Sequence, residues 1–191
     1  MKTKLQILLV ALVCVGPVIG AYLLYYGGDL DELPILANPE RRLLESPVEL
    51  PSLPGRVEGA VVDDLLSGPT WSLVYARTSP CGERCLGDLV RLRQVELALG
   101  RDLDRVQRIF IGPGDDSKAG RDPTIVTASF DGPAGAELLA VLERVGHAPG
   151  ADGRVYVVDP HGNLVMSYPP DPDQEGLLDD LERLLSVSRI G

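Results

Sequence analysis

The segment from Leu5 to Tyr26, LQILLVALVCVGPVIGAYLLYY, carries no charged side chain. As a helix rising about 1.5 Å per residue it extends about 33 Å, enough to cross the hydrocarbon core of a bilayer. Lys2 and Lys4 precede it, and Asp29, Asp31 and Glu32 follow. The positive-inside bias therefore predicts a cytoplasmic N-terminus and puts everything after Tyr26 on the far side, with Tyr22, Tyr25 and Tyr26 at the outer interface. A cleaved signal peptide is the competing reading. The apolar run is longer than the usual core of a signal, and Val18-Ile19-Gly20 is a poor small-residue cleavage site, which favours an uncleaved single-pass anchor. Cys14, preceded by bulky Leu12 and Val13, reads as an apolar residue inside that helix rather than as a lipidation site.

The remainder of the 191 residues suffices for one ordinary core. Acidic residues number 28 against 18 basic ones, a formal charge of -10. No stripe of Lys and Arg could neutralise phosphates, so nucleic acid is excluded as an expected partner, and the acidity reads as a solvated surface. From Gly27 to about residue 65 the chain carries Pro34, Pro39, Pro47, Pro51 and Pro54 without sustained periodicity. That stretch reads as an acidic, proline-rich lead-in spacing a domain at 66–191 from the bilayer. Glu40 to Leu44 is compatible with a short helix, and Val48 to Val62 with a first strand or hairpin.

Clear signals begin at Trp71. The run WSLVYA, preceded by Ser67-Gly68-Pro69, predicts a central strand. A loop through Pro80 leads to Cys81, and a helical pattern from about Cys85 to Leu99 stops at Gly100. Arg105 to Ile111 predicts the next strand, and Gly112 to Thr124 a loop rich in Gly, Asp and Pro that reads as solvated chain. Asp131-Gly132-Pro133 starts a second helix with Leu138, Leu139, Leu142 and Val145 at helical spacing. Arg154–Asp159 and Leu164–Tyr168 flank Pro160-His161-Gly162-Asn163, a hairpin signal, and a last helix is expected from about Asp173 to Val187. The order strand, helix, strand, helix, hairpin, helix, with the first two strands parallel and the last two antiparallel, is the thioredoxin-like α/β arrangement, a central mixed sheet flanked by helices.

Cys81-Gly82-Glu83-Arg84-Cys85 falls where a strand ends and a helix begins. The first cysteine then sits beside the positive end of the helix dipole, which favours thiolate and hence thiol-disulfide chemistry. Positions four apart in a helix bring Cα atoms about 6 Å apart, inside the range a disulfide bridges. Two thiolates are also soft ligands suited to Cu(I). The bland alternative is a disulfide that only staples an extracytoplasmic fold. A metal site would call for a third ligand, for which the chain offers His147 and His161. If the Arg154–Asp159 strand runs antiparallel to Trp71–Ala76, His147 precedes the end near the cysteines and His161 lies at the far pole, so His147 is the expected third metal ligand beside Cys81 and Cys85.

The anchor, the segment SGPTWSLVYARTSPCGERC and the hairpin RVYVVDPHGNLV together resemble the Sco-like (SenC-type) proteins, membrane-tethered thioredoxin-fold factors that serve assembly of the copper sites of cytochrome c oxidase. The stretch LVRLRQVELALGRDLDRVQRIFI also resembles a group of small membrane-anchored proteins encoded with oxidase assembly factors. The resemblance implies a bacterial inner-membrane protein with a periplasmic domain, Cys81 and Cys85 as the working pair, copper as a bound ion, and an oxidase subunit or another copper or thiol assembly factor as partner. It departs from the family where Leu86 follows the second cysteine in place of proline. Gly150-Ala151-Asp152-Gly153 likewise stands where that family has its copper-binding histidine. The cis-proline that thioredoxins place before this strand is also missing, Pro149 lying too far upstream. A general periplasmic thiol-disulfide oxidoreductase or peroxidase, and a non-catalytic interaction domain, stand as alternatives.

Overall fold

The structure, a computed structural model, describes Val15 and residues 43–57, 60–114 and 122–188. The chain divides into two units, Met1–Pro39 and Glu40–Gly191, and the elements described all belong to the second. The expected membrane segment, residues 5–26, lies outside the described residues apart from Val15. Among the described residues no helix is long and apolar enough to cross a membrane.

Strand β4 (Trp71–Ala76) is buried at every position, as the centre of a sheet covered on both faces requires. It pairs in parallel with β5 (Val106–Gly112), Trp71 opposite Val106 and Ala76 opposite Ile111. On its other side it pairs antiparallel with β7 (Arg154–Val158), Ser72 opposite Val158 and Ala76 opposite Arg154. Helix α1 (Glu83–Ala98) connects β4 to β5 through a 3-10 turn at Gly100–Arg105, and β8 (Asn163–Tyr168) closes the expected hairpin on β7. Helix α2 (Pro133–Arg144) starts with proline in its first turn. Helix α3 (Gln174–Val187) is capped by Asp173, whose carboxylate accepts from the amide of Gly176 at 3.0 Å. The mixed, thioredoxin-like sheet flanked by helices is therefore present.

Alternation along the strands sorts the core into two layers. Trp71, Leu73 and Tyr75 join Leu89, Leu92, Leu177 and Leu181 on the face covered by α1 and α3. Val74, Ala76 and Tyr156 join Leu138 and Leu142 on the face covered by α2, together with Leu53, Leu65 and Leu66.

The sheet is larger than its sequence signals suggest. Its order is β1 (Leu43–Glu49), β8, β7, β4, β5, β6 (Ile125–Ser129), β2 (Gly55–Val57), β3 (Ala60–Val62). Strand β6 (Ile125–Ser129) pairs in parallel with β5, an element absent from the sequence reading because only Ile125 in it is buried. Strand β1 (Leu43–Glu49) pairs antiparallel with β8, which corrects the short helix expected at Glu40–Leu44: Leu43 and Leu44 are strand, and the rest of that segment is outside the described residues. Pro47 masked the signal, yet an edge strand tolerates proline, and the register of β1 shifts between Leu43 and Val48. Strands β2 (Gly55–Val57) and β3 (Ala60–Val62) form the anticipated hairpin and attach to β6 through Arg56 and Thr127. Strands β1, β2 and β3, at 43–49, 55–57 and 60–62, thus pair into the sheet.

One charge is built into this frame. Arg108 on β5 is 2% exposed and donates to Glu96 at 2.5 Å, Asp122 at 3.0 Å and Thr124 at 2.5 Å. Burial of Asp122 disfavours its charged form, but hydrogen bonds from the hydroxyl and amide of Thr124 and from Arg108 outweigh it and hold the carboxyl down at about 2.

Candidate cysteine site

Beyond Ala76 the chain leaves the sheet, the amide of Arg77 still donating to Ile111 at 3.0 Å. It turns through Thr78, Ser79 and Pro80 into α1, whose N-cap, Gly82, offers no side-chain cap. Cys81 stands just before the helix and Cys85 within its first turn. They form a disulfide with Cα atoms 5.3 Å apart, a spacing that one helical turn supplies without displacing either strand or helix. Cys85 is 0% and Cys81 2% exposed, both within the apolar layer under α1 and α3.

The surroundings of the pair are more polar than its burial implies. Tyr75, the penultimate residue of β4, donates to the carboxylate of Asp88 at 2.8 Å. Its oxygen also lies 3.2 Å from the carbonyl of Asp152. Asp88 follows Cys85 by three positions and shares its helix face. Burial, followed by the hydrogen bond to Asp88 and its charge, pushes the Tyr75 phenol above the ordinary range. Asp88, Tyr75 and Arg91 line a small cavity with Leu92, Asp171 and Leu177, and Arg91 forms an ion pair with Asp171 at its edge.

Residues 150–153 lie alongside. Arg77, 8% exposed, donates to the carbonyls of Ser79 and Ala151, each at 2.7 Å, and to the hydroxyl of Ser79 at 2.6 Å. The Ser79 hydroxyl reaches the same Ala151 oxygen at 2.7 Å, the amide of Thr78 donates to Gly150 at 3.1 Å, and Arg84 pairs with Asp152 at 3.2 Å. Gly153 closes the loop at φ 86, a conformation that favours glycine. A Cβ there would lie 2.6 Å from Cζ of Tyr75.

The histidines fall elsewhere. The carbonyl of His147 accepts from the hydroxyl of Tyr156 at 2.6 Å, and Tyr156 belongs to the layer under α2, so the His147 backbone is held on the face opposite the cysteines. Among the described residues no group of three His, Cys, Asp or Glu side chains is placed to hold a metal. The expected trio of Cys81, Cys85 and His147 is therefore not gathered in this disulfide form, the segment beside the pair being 150–153. His161 sits in the β7–β8 turn, bridged to Ser67 at the far pole, as the antiparallel pairing of β4 and β7 dictates.

Sequence reasoning missed Arg77, Tyr75, Asp88 and Asp152. Asp88 alone left a trace, a carboxylate on the helix face shared by Cys85, Leu89 and Leu92.

A family model described as transmembrane-like, thioredoxin-like, C-terminal domain matches residues 71–188. No curated protein matches the chain in sequence. Among solved structures, the copper-bound ScoI of Arabidopsis thaliana is similar over 74% of this chain and 99% of its own, at 16% identity and a TM-score of 0.56. The apo Sco1 protein of Thermus thermophilus is similar over 76% and 96%, at 17% identity and 0.57. A putative thiol:disulfide interchange protein DsbE from Chlorobium tepidum is similar over 76% and 99%, at 12% identity and 0.53. At these identities the likeness is one of fold.

Proposed function

The chain belongs to the transmembrane-like, thioredoxin-like C-terminal domain family, and from that premise we propose that it is a membrane-anchored extracytoplasmic factor assisting cytochrome c oxidase assembly through thiol redox chemistry, Cu(I) handling, or both, at Cys81 and Cys85. In this reading residues 1–26 are the cytoplasmic N-terminus and the anchor of a bacterial inner-membrane protein, and the periplasmic domain begins near Leu43.

The observation that carries the proposal is the placement of the disulfide, at the junction of the central strand and the helix that follows it. The helix dipole favours negative charge at Cys81. A partner thiolate attacking Cys81 forms a new S–S bond as the Cys81–Cys85 bond breaks, and Cys85 leaves as a thiolate that takes a proton from water. Attack by the Cys85 thiolate on the mixed disulfide reverses the step and releases the partner's thiolate. Two electrons thus pass from a dithiol partner to the pair when a second partner thiol displaces Cys81.

The reduced pair supplies two soft sulfur donors from adjacent turns, a set suited to Cu(I) rather than to a hard cation. Copper is the cargo in this reading, delivered to an oxidase subunit or to another copper or thiol assembly factor. His147 would serve as a third donor only after leaving its place beside Tyr156. The disulfide, together with a histidine held on the opposite face, favours the redox half of the proposal, in the manner of a thiol-disulfide oxidoreductase.

An anaerobic Cu(I) titration of the reduced full-length chain against a chelator of known affinity tests the copper half, with Cys81→Ser and His147→Ala in parallel. Tight one-to-one binding lost in Cys81→Ser supports it, and further weakening in His147→Ala assigns the third ligand. Binding no stronger than the chelator background removes copper from the proposal. Full oxidase activity in cells carrying Cys81→Ser or Cys85→Ser would remove the assembly role itself.

A further inference from the structure

Neither sulfur of the disulfide is open to solvent. Thiol-disulfide exchange requires the attacking group to reach a sulfur along the S–S axis, and both cysteines here are at most 2% exposed. The residues flanking Cys81 are not themselves a cover, since Pro80, Gly82, Glu83 and Arg84 are exposed. The 150–153 segment is bound on both sides of Cys81. Ahead of it, Arg77, Thr78 and Ser79 hold the carbonyls of Ala151 and Gly150. Behind it, Arg84 holds the carboxylate of Asp152.

We infer that residues 150–153 form a latched lid over the disulfide, and that access of a partner thiol or a metal donor to Cys81 requires this lid to lift. The lid's carbonyls on Gly150 and Ala151 accept from donors on the β4–α1 connection, and that of Asp152 accepts from the Tyr75 hydroxyl near the end of β4. Arg77 is the main latch. Its charge is buried, and the oxygens it donates to include the carbonyls of Ser79 and Ala151 and the Ser79 hydroxyl. Charge-assisted bonds of this kind are the stronger ones, so they dominate over the Arg84–Asp152 pair, whose side chains are both more than 60% exposed. Gly153 is the hinge, its φ of 86 returning the chain into β7 beneath Tyr75. A lid held by a handful of side-chain bonds and the single backbone bond from Thr78, rather than by ladder pairing, opens more readily than the sheet unfolds. The inference concerns the reactivity of the pair and holds whether the pair carries electrons or copper.

The test pairs two rates on the full-length chain. One is reduction by a water-soluble phosphine, which attacks a sulfur and breaks the S–S bond. Phosphorus gives two electrons, and water supplies the phosphine-oxide oxygen and the two thiol protons. The other is hydrogen exchange at the amides of Thr78 and Gly153, whose acceptor in both cases is Gly150. Both rates should rise about tenfold in an Arg77→Gln/Ser79→Ala variant and by a smaller factor in Ser79→Ala/Arg84→Ala, which keeps the main latch; neither variant touches β4 or the cysteines. Wild-type reduction should be slower than that of the urea-unfolded chain by the factor to which those amides are protected. Faster exchange with unchanged reduction, faster reduction with unchanged exchange, or no change in either would each overturn the lid.

Discussion

The hydroxyl of Tyr75 donates to the buried carboxylate of Asp88 across 2.8 Å, one helical turn beyond Cys85. The bond ties the central strand to the helix that carries the second cysteine. A buried carboxylate that loses its donor keeps its desolvation penalty, about 1–3 kcal/mol.

Tyr75→Phe should therefore lower the unfolding free energy by about 2 kcal/mol, read as a shifted urea midpoint at constant slope. Adding Asp88→Leu should recover part of that loss, because removing both partners abolishes the stranded charge. A double variant as unstable as the sum of its singles would show that the two side chains act independently.

The disulfide closes a very short loop, its cysteines four positions apart. Loop-closure entropy for a ring of this size is worth only about 2 kcal/mol. Cys81→Ser should lower stability by about that amount and leave far-UV circular dichroism unchanged. A domain that unfolds outright when the bond is broken would mark the disulfide as a structural staple and weaken the redox proposal.

Acid should loosen the Arg108 network over a defined window. The Asp122 carboxyl titrates near 3.8 in an unfolded reference and at about 2 in the folded chain. A carboxyl whose folded value is depressed contributes stability above its unfolded value and loses it as pH falls through the folded one. The contribution, on the order of 1 kcal/mol after solvent screening, should therefore disappear between about pH 4 and pH 2. Urea midpoints at stepped pH should fall more steeply there for the wild type than for Asp122→Asn.

Most of the sheet was legible because its central members carry strong patterns. WSLVYA reads as a buried strand, and Leu138 and Leu142 repeat at helical spacing on α2. What escaped had no such pattern. IVTAS in β6 buries only Ile125, and LLESPVE in β1 contains a proline that argues against a strand unless the strand is at an edge. At the site, the cysteine spacing was visible in the chain, but the lid was not. Arg77 and Ala151 lie 74 positions apart, and only the pairing of β4 with β7 brings them together. The same pairing explains why neighbouring loop positions diverge, with Gly150 and Ala151 beside the cysteines while the backbone of His147 stays under α2.

A chain begun at Leu66 should fold poorly. It lacks β1, β2 and β3, leaving the outer edges of β8 and β6 unpaired and inviting edge-to-edge association. It also loses Leu53 and Leu65, each 2% exposed in the core, at about 1.5–3 kcal/mol apiece. Light scattering and urea unfolding against a chain begun at Glu40 should show aggregation and a broad transition only for the shorter one. Equal behaviour would mean that the early strands are dispensable.

The pairing of β1 with β8 also sets when the domain can exist. Its first strand, residues 43–49, finds its partner only at residues 163–168. Contacts so distant along the chain form late and slowly. During synthesis β1 therefore waits without its partner strand until residues 163–168 have emerged. The protein's vulnerable period is its birth, and chaperones that shield extended segments should matter more to its yield than any treatment of the finished fold.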